Sequence, residues 1–337
     1  IGFGLSSYIL SMWISNTATT LMMLPMALSI IQTQKGSESS NRFSLLLMLT
    51  VAYAASIGGM ATLVGSPPNT QMAGTLSSTF GIHISFWQWM KIGLPVSLVI
   101  FLILNIFFQI ILGSQRNDEV VINLNQSKWT IPQKRVLITF GLVILLWVTR
   151  GLIVDYTGVT FKDSSVAILG AIMLFIIPSK VTEEKLLKWS DTIKIPWGIL
   201  VLFGGGIALA SSLEKSHVLE LVFQSANSIS SWHYFYLLLL VISISIFATE
   251  LMSNLALVSV LVPIIAMLAL GMGQSVLALC IPLTLAASCA FMMPISTPPN
   301  AIVFSSGKIS IKQMAAYGFF MNLFSVLIIV IYSYFFL

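Results

Sequence analysis

Ser15, Asn16 and Thr17 open the stretch SNTATTLMMLP, and Ser253 and Asn254 open SNLALVSVLVP, each inside an otherwise apolar run. These side chains carry oxygens but no charge. They are good helix N-caps, and an apolar helix follows each pair, so the first N–H groups of that helix point back at the tip and suit an anionic group. Two further stretches, GSPPNT at Gly65 to Thr70 and STPPNA at Ser296 to Ala301, add what a cation needs. Proline has no N–H, so a helix running into Pro67 and Pro68 leaves the carbonyls of Leu63 and Val64 free. Pro298 and Pro299 do the same for Pro294 and Ile295. Carbonyls, hydroxyls and an Asn side-chain oxygen are the ligands of a hard cation.

The two sets form an internal repeat. Ser15, Asn16, Ala18 and Pro25 share the spacing of Ser253, Asn254, Ala256 and Pro263, and the PPN element begins 50 and 43 residues further on. Each copy places cation ligands beside an anion-attracting helix start. No Lys or Arg lies within about fifteen residues of Asn16 or Asn254. An anion held there needs its charge balanced by something else, and a bound cation makes symport more natural than anion exchange.

The elements that carry these residues are membrane helices. With 57% hydrophobic residues, 8% charged residues and a mean hydropathy of +0.97, the chain cannot cover a soluble globule with polar surface. Apolar runs such as Val96 to Leu112, Val136 to Val148, Ser164 to Pro178 and Phe319 to Leu337 approach a bilayer's thickness, and none alternates as a barrel strand does. The fold class is all-α and polytopic. The net charge of +5 is spread over short loops rather than one face or tail, which excludes nucleic acid as a partner. Placing loops 32–42, 114–135, 179–195 and 305–313 in the cytoplasm puts twelve of the sixteen basic residues inside, leaving Lys91, Arg150, Lys162 and Lys215 on or near the other side. That orientation puts both ends of the first hairpin inside and both ends of a hairpin from Ser231 to Ser275 outside. The copies are then inverted, with their polar tips at mid-depth, the pattern of secondary transporters. Between them an amphipathic connection is expected near Leu213 to Ser230.

Glu250 is the one acid placed deep in a hairpin, and two roles are open to it: a proton carrier or an acceptor for hairpin backbone. Cys280 and Cys289 read as small core residues, and the sixteen Met as packing or lipid-facing side chains. His83, His217 and His233 read as interfacial. Gly204 to Gly206 reads as close helix packing, and Trp87, Trp89, Trp197 and Trp232 as interface anchors. No Ser-His-Asp order or His-Glu-x-x-His motif occurs, so the chain is not read as an enzyme. No continuous polar stripe runs along one span, which counts against an anion channel.

The stretches SMWISNTATTLMMLP, GGMATLVGSPPNT, TELMSNLA and MPISTPPNAIVF resemble the divalent anion/sodium symporter family of INDY-type dicarboxylate transporters. The resemblance extends across nearly the whole chain. It implies an elevator transporter with two re-entrant hairpins and two broken helices, a homodimer in the bilayer. The implied cargo is Na⁺ with a C4 dicarboxylate such as succinate, malate or fumarate. Sulfate- or citrate-selective and proton-coupled relatives are the alternatives, and an anion channel the alternative from another class. Carried over by residue, one sodium site uses Ser11, Ser15, Asn16 and the backbone near Gly65. The other uses Thr249, the Met252 carbonyl, Asn254 and Ser296. Substrate carboxylates are implied to touch Asn16, Thr17, Asn254, Thr297 and Pro298. Where the family has a second SNT, Leu255 replaces the Thr, removing a hydroxyl from the implied substrate site and adding bulk.

The expected organisation is a first repeat over 1–113, with a hairpin, a helix broken at Gly65 to Asn69 and one more span. Scaffold helices follow over 114–230, and the inverted repeat occupies 231–337. The sequence opens at Ile1, which reads as a fragment lacking the family's first helices. The expected location is a bacterial inner membrane.

Overall fold

The computed structural model describes residues 1–33, 38–113, 129–180, 185–194, 197–215 and 233–337. His217 and Trp232, most of the 213–230 connection, and parts of the loops near 34–37, 114–128 and 181–184 lie outside the described residues. Among the described residues the regular structure is helical.

The chain divides into two units. The first comprises Ile1–Ile84, Trp89–Val121 and Val201–Leu337. It contains α1 (Gly2–Ser11), α2 (Asn16–Thr33), α3 (Glu38–Met60), α4 (Pro67–Phe80) and most of α5 (Phe86–Leu112). It also holds the larger part of α8 (Trp197–Lys215), then α9 (Tyr234–Thr249), α10 (Asn254–Gly271), α11 (Val276–Ala287), α12 (Pro298–Phe304) and α13 (Ile311–Phe336). The run α1 to α5 and the run α9 to α13 follow the same order: helix, tip, helix, broken helix, long helix. Their packing matches as well. α1 and α2 lie on α3 as α9 and α10 lie on α11, while α4 packs on α10 and α12 packs on α2.

Among the described residues five helices are long and apolar enough to cross a membrane: Asn41–Met60, Phe86–Leu112, Ile131–Thr157, Asn254–Gly271 and Ile311–Phe336. α1 has 10 residues and α12 has 7. At about 1.5 Å per residue neither spans an apolar layer roughly 30 Å thick.

The breaks lie earlier than the prolines led us to expect. α3 stops at Met60, so the connection runs over 61–66, not Gly65 to Asn69. Pro67 and Pro68 open α4, and Pro298 and Pro299 open α12. In a first helical turn the missing N–H has no partner to lose. Leu63, Val64, Pro294 and Ile295 therefore belong to non-helical connections rather than to helix ends.

The core of this unit ties the repeats together. Tyr53 Oη donates to the carbonyl of Phe291 at 2.7 Å. Trp89 corrects the interface-anchor reading: it is fully buried and its Nε1 donates to the Met60 carbonyl at 3.0 Å, capping the end of α3. Trp87 and Trp197 are exposed, as an interfacial residue would be. Cys280 and Cys289 are buried in the apolar core. Within the run Gly204 to Gly206 in α8 only Gly206 packs closely, against Gln71 and Ser259, while Gly204 and Gly205 face open space. His83 pairs with Ser77 Oγ at 2.8 Å, and His233 caps α9 by accepting from the N–H of Phe235.

The second unit comprises Ser85–Gln88 and Ile122–Leu200. It contains α6 (Ile131–Thr157), α7 (Asp163–Ile176) and a short 3-10 helix at Trp189–Lys194. α6 opens on a capping box between Thr130 and Gln133 and ends on Gly158 at φ +70°. Asp163 organises the unit. Its Oδ1 takes the Arg150 guanidinium at 2.9 Å, its Oδ2 accepts from the N–H of Phe86 at 2.8 Å, and its carbonyl accepts from Trp147 Nε1 at 3.0 Å. Phe86 stacks on Trp147 at 4.9 Å. Arg150 is thus held by a structural pair. Asp163→Ala strands both the cation and a backbone donor, and should cost about 1–3 kcal/mol of stability, read as a lower thermal midpoint in detergent.

Candidate functional site

At the first tip, α1 ends at Ser11 and α2 begins at Asn16. One end of the Asn16 amide lies 2.7 Å from Ser11 Oγ, 3.3 Å from the Ala55 carbonyl and 3.2 Å from the Gly65 carbonyl. With Nδ2 at that end the amide donates to all three. With Oδ1 there, four oxygens converge, an arrangement that calls for a cation among them. Gly59 makes room for this amide, since a Cβ at Gly59 would collide with it. Ser15 is exposed and caps α2, its Oγ accepting from the N–H of Ala18 at 3.2 Å. Thr17 is half-buried beside Asn16.

The second tip repeats the design. Thr249 ends α9, Asn254 begins α10, and Thr249 Oγ1 lies 2.7 Å from Asn254 Oδ1 and 2.9 Å from the Ala287 carbonyl. Three oxygens here share a single hydroxyl proton. Ser253 occupies the N-cap position but makes no side-chain cap bond, against expectation. Met252 is exposed on the tip. Ser296 Oγ is buried, donates to the Met293 carbonyl at 2.6 Å and lies 3.2 Å from Asn300 Nδ2. Thr297 caps α12 by accepting from the N–H of Asn300, and Pro298 is exposed beside it.

The amide nitrogens of the PPN asparagines have a role that the sequence reading did not assign. Asn69 Nδ2 donates to the carbonyls of Gly59 at 3.0 Å and Thr62 at 2.8 Å. Asn300 Nδ2 donates to those of Ala290 at 3.0 Å and Met293 at 3.1 Å. In both copies the partners precede the Asn by ten and seven residues. Each amide therefore replaces the helix N–H groups that the break removes, and holds the connection in shape. The side-chain oxygens of Asn69 and Asn300 are buried without a partner among the described residues.

Glu250 follows Thr249 and is 4% exposed. Its Oε1 accepts from the N–H groups of Phe291 at 2.7 Å and Met292 at 2.8 Å and from Asn322 Nδ2 at 2.8 Å. Its Oε2 accepts from the N–H of Met293 at 2.9 Å. Of the two roles open to it, backbone acceptor is the one the geometry fills. Leu255 is buried at the start of α10, and its carbonyl accepts from Ser259 Oγ at 2.9 Å.

Sequence reasoning missed the carbonyls of Ala55 and Ala287, the Thr62 hydroxyl that donates to the Met12 carbonyl, and Asn322. Among the described residues no group of three His, Cys, Asp or Glu could hold a metal ion, so the oxygen sets above are the candidates for cations.

Together these features define a polytopic α-helical membrane protein with two matched, oxygen-lined tips. The family profile described as sodium:sulfate symporter transmembrane region matches residues 1–336, and the chain belongs to that family, which comprises transporters rather than enzymes. It is 36% identical to the sodium-dependent dicarboxylate transporter SdcS of Staphylococcus saprophyticus over 99% of this chain and 68% of the relative. It is 35% identical to SdcS of Staphylococcus aureus strain USA300, with the same coverage.

Proposed function

We propose that the chain is the core of a sodium-coupled symporter of small divalent anions, with C4 dicarboxylates such as succinate, malate and fumarate as first choice. The observation that carries this reading is the gathering of uncharged polar groups at two equivalent tips, the Ser11 hydroxyl, the Asn16 amide and the Ala55 and Gly65 carbonyls at one and the Thr249 hydroxyl, the Asn254 amide and the Ala287 carbonyl at the other. Such sets hold a hard monovalent cation. No Lys or Arg lies within about fifteen residues of Asn16 or Asn254 along the chain, so a bound cation is the natural counter-charge for an anion at the tips. Na⁺ is cargo in this scheme. Met252 through its carbonyl, Ser15 and Ser296 would complete the two shells, and Asn16, Thr17, Asn254, Thr297 and Pro298 would face the carboxylates.

The names of the SdcS relatives favour a dicarboxylate, and the family's description favours sulfate as the second reading. Leu255 is buried at the start of α10, so the change from Thr takes a hydroxyl from that tip. The matched runs of helices support an inverted repeat whose tips cross the membrane together, as in elevator transport. In this scheme residues 1–113 and 231–337 form the moving domain. Residues 114–230 form a scaffold through which the full-length protein dimerises in a bacterial inner membrane, with the basic loops inside.

The test is succinate uptake by the full-length protein in proteoliposomes. Accumulation is expected only with an inward Na⁺ gradient. Na⁺-independent or non-saturating flux would overturn the reading, and stronger competition by sulfate than by malate would move it to the second.

A further inference from the structure

The two tips are alike in their oxygens but not in their charge. Thr249 and Asn254 correspond to Ser11 and Asn16, which makes Glu250 the counterpart of Met12. Both positions do one job: they tie the tip to the break beside it. At the first tip the tie is neutral, the Met12 carbonyl accepting from Thr62 Oγ1. At the second tip the Glu250 carboxylate does it, gathering the N–H groups of Phe291, Met292 and Met293.

The carboxylate is well satisfied yet uncompensated. It accepts from three backbone N–H groups and one amide, and none of these donors is a cation. Amide dipoles stabilise a buried carboxylate but leave its field intact, and that field acts strongly where water is excluded. It also leads straight to the site. Glu250 is covalently joined to Thr249, and Met293, whose N–H donates to Glu250, uses its carbonyl to accept from Ser296 Oγ and Asn300 Nδ2.

We infer that Glu250 is the positioning residue of the second cation site. It holds the α11–α12 connection in place and gives that site a negative charge the first site lacks, so the second site binds Na⁺ more tightly. This rests on the sodium-coupled reading above.

The experiment is Na⁺ titration of thermal stability, without substrate, on the purified full-length protein. Asn16→Ala leaves the second site to be read, and Asn254→Ala leaves the first. The half-saturating Na⁺ concentration is expected to be about tenfold lower or more in Asn16→Ala than in Asn254→Ala. Glu250→Gln keeps the shape but removes the charge. It should raise half-saturation about tenfold in the Asn16→Ala background and leave the Asn254→Ala background unmoved. A merely structural glutamate would lower the starting midpoint in both backgrounds without changing either Na⁺ dependence, and that result overturns the inference. So does equal half-saturation in the two single variants, a comparison that stands even where Glu250→Gln fails to fold. If the unsubstituted protein gains no stability from Na⁺, the sodium-coupled reading fails and takes this inference with it. If it gains stability but the two backgrounds agree, this inference fails alone.

Discussion

Asn16→Ala and Asn254→Ala are each expected to remove Na⁺-driven uptake, with a loss of roughly 10- to 150-fold in cation or substrate affinity. That range corresponds to about 1.5–3 kcal/mol for a hydrogen bond or ligand contact to a charged group. The expectation follows from where the two amides sit. Each begins a helix at a tip and touches the hydroxyl five residues earlier, Ser11 for Asn16 and Thr249 for Asn254. Alanine keeps the helix start but removes the atom on which the other oxygens converge, so folding should survive while transport fails. Uptake of labelled succinate against external Na⁺ concentration checks it. Ser11→Ala and Thr249→Ala should have smaller effects in the same direction, because the carbonyls of Ala55 and Ala287 remain. Normal Na⁺ dependence in a folded Asn254→Ala protein would remove the second tip from the proposal.

Gly58→Ala and Gly318→Ala are expected to be the most damaging single-methyl changes, each costing about 3 kcal/mol, the upper part of the usual range for overpacking. A Cβ on Gly58 would fall on the carbonyl oxygen of Tyr8 and lie 2.9 Å from its carbon, so α1 would have to lift off α3. A Cβ on Gly318 would fall on the carbonyl of Phe291 and lie 2.6 Å from the N–H nitrogen of Met292. Backbone cannot swing aside as a side chain can. At Gly318 the obstacle is also the Phe291–Met292 peptide, whose N–H donates to Glu250 and whose carbonyl accepts from Tyr53, so cation binding at the second tip should weaken along with stability. Gly206→Ala meets the ends of the Gln71 and Ser259 side chains and should cost less. Gly141→Ala, in open space on α6, should be neutral or stabilising by up to about 1 kcal/mol. Thermal midpoints of the purified variants in one detergent rank the four.

How far the site was legible in the sequence can be followed residue by residue. The all-helical membrane fold needed only composition, because a chain so poor in charge has no way to cover itself in water. The repeat was visible because hydroxyls, amides and paired prolines stand out in apolar runs, and their spacing is local. Ser11 with Asn16 and Thr249 with Asn254 meet within one tip, so short-range spacing sufficed for them. The carbonyls of Ala55 and Ala287 were invisible, since every residue carries a carbonyl and only packing says which one faces a site. The breaks differ from the reading for a related reason: Asn69 and Asn300 reach back ten residues to hold the carbonyls of Gly59 and Ala290, whereas the prolines by themselves point to Leu63, Val64, Pro294 and Ile295. Glu250 is the clearest case. Its place in a hairpin could be read from the chain, but its role depends on donors 41 to 72 residues away that the fold brings to its two oxygens. Sequence thus determined which residues could serve a cation and an anion. Tertiary structure decided which backbone oxygens join them and what the buried carboxylate accepts, because hydrogen-bond partners distant in the chain become neighbours only when the helices pack.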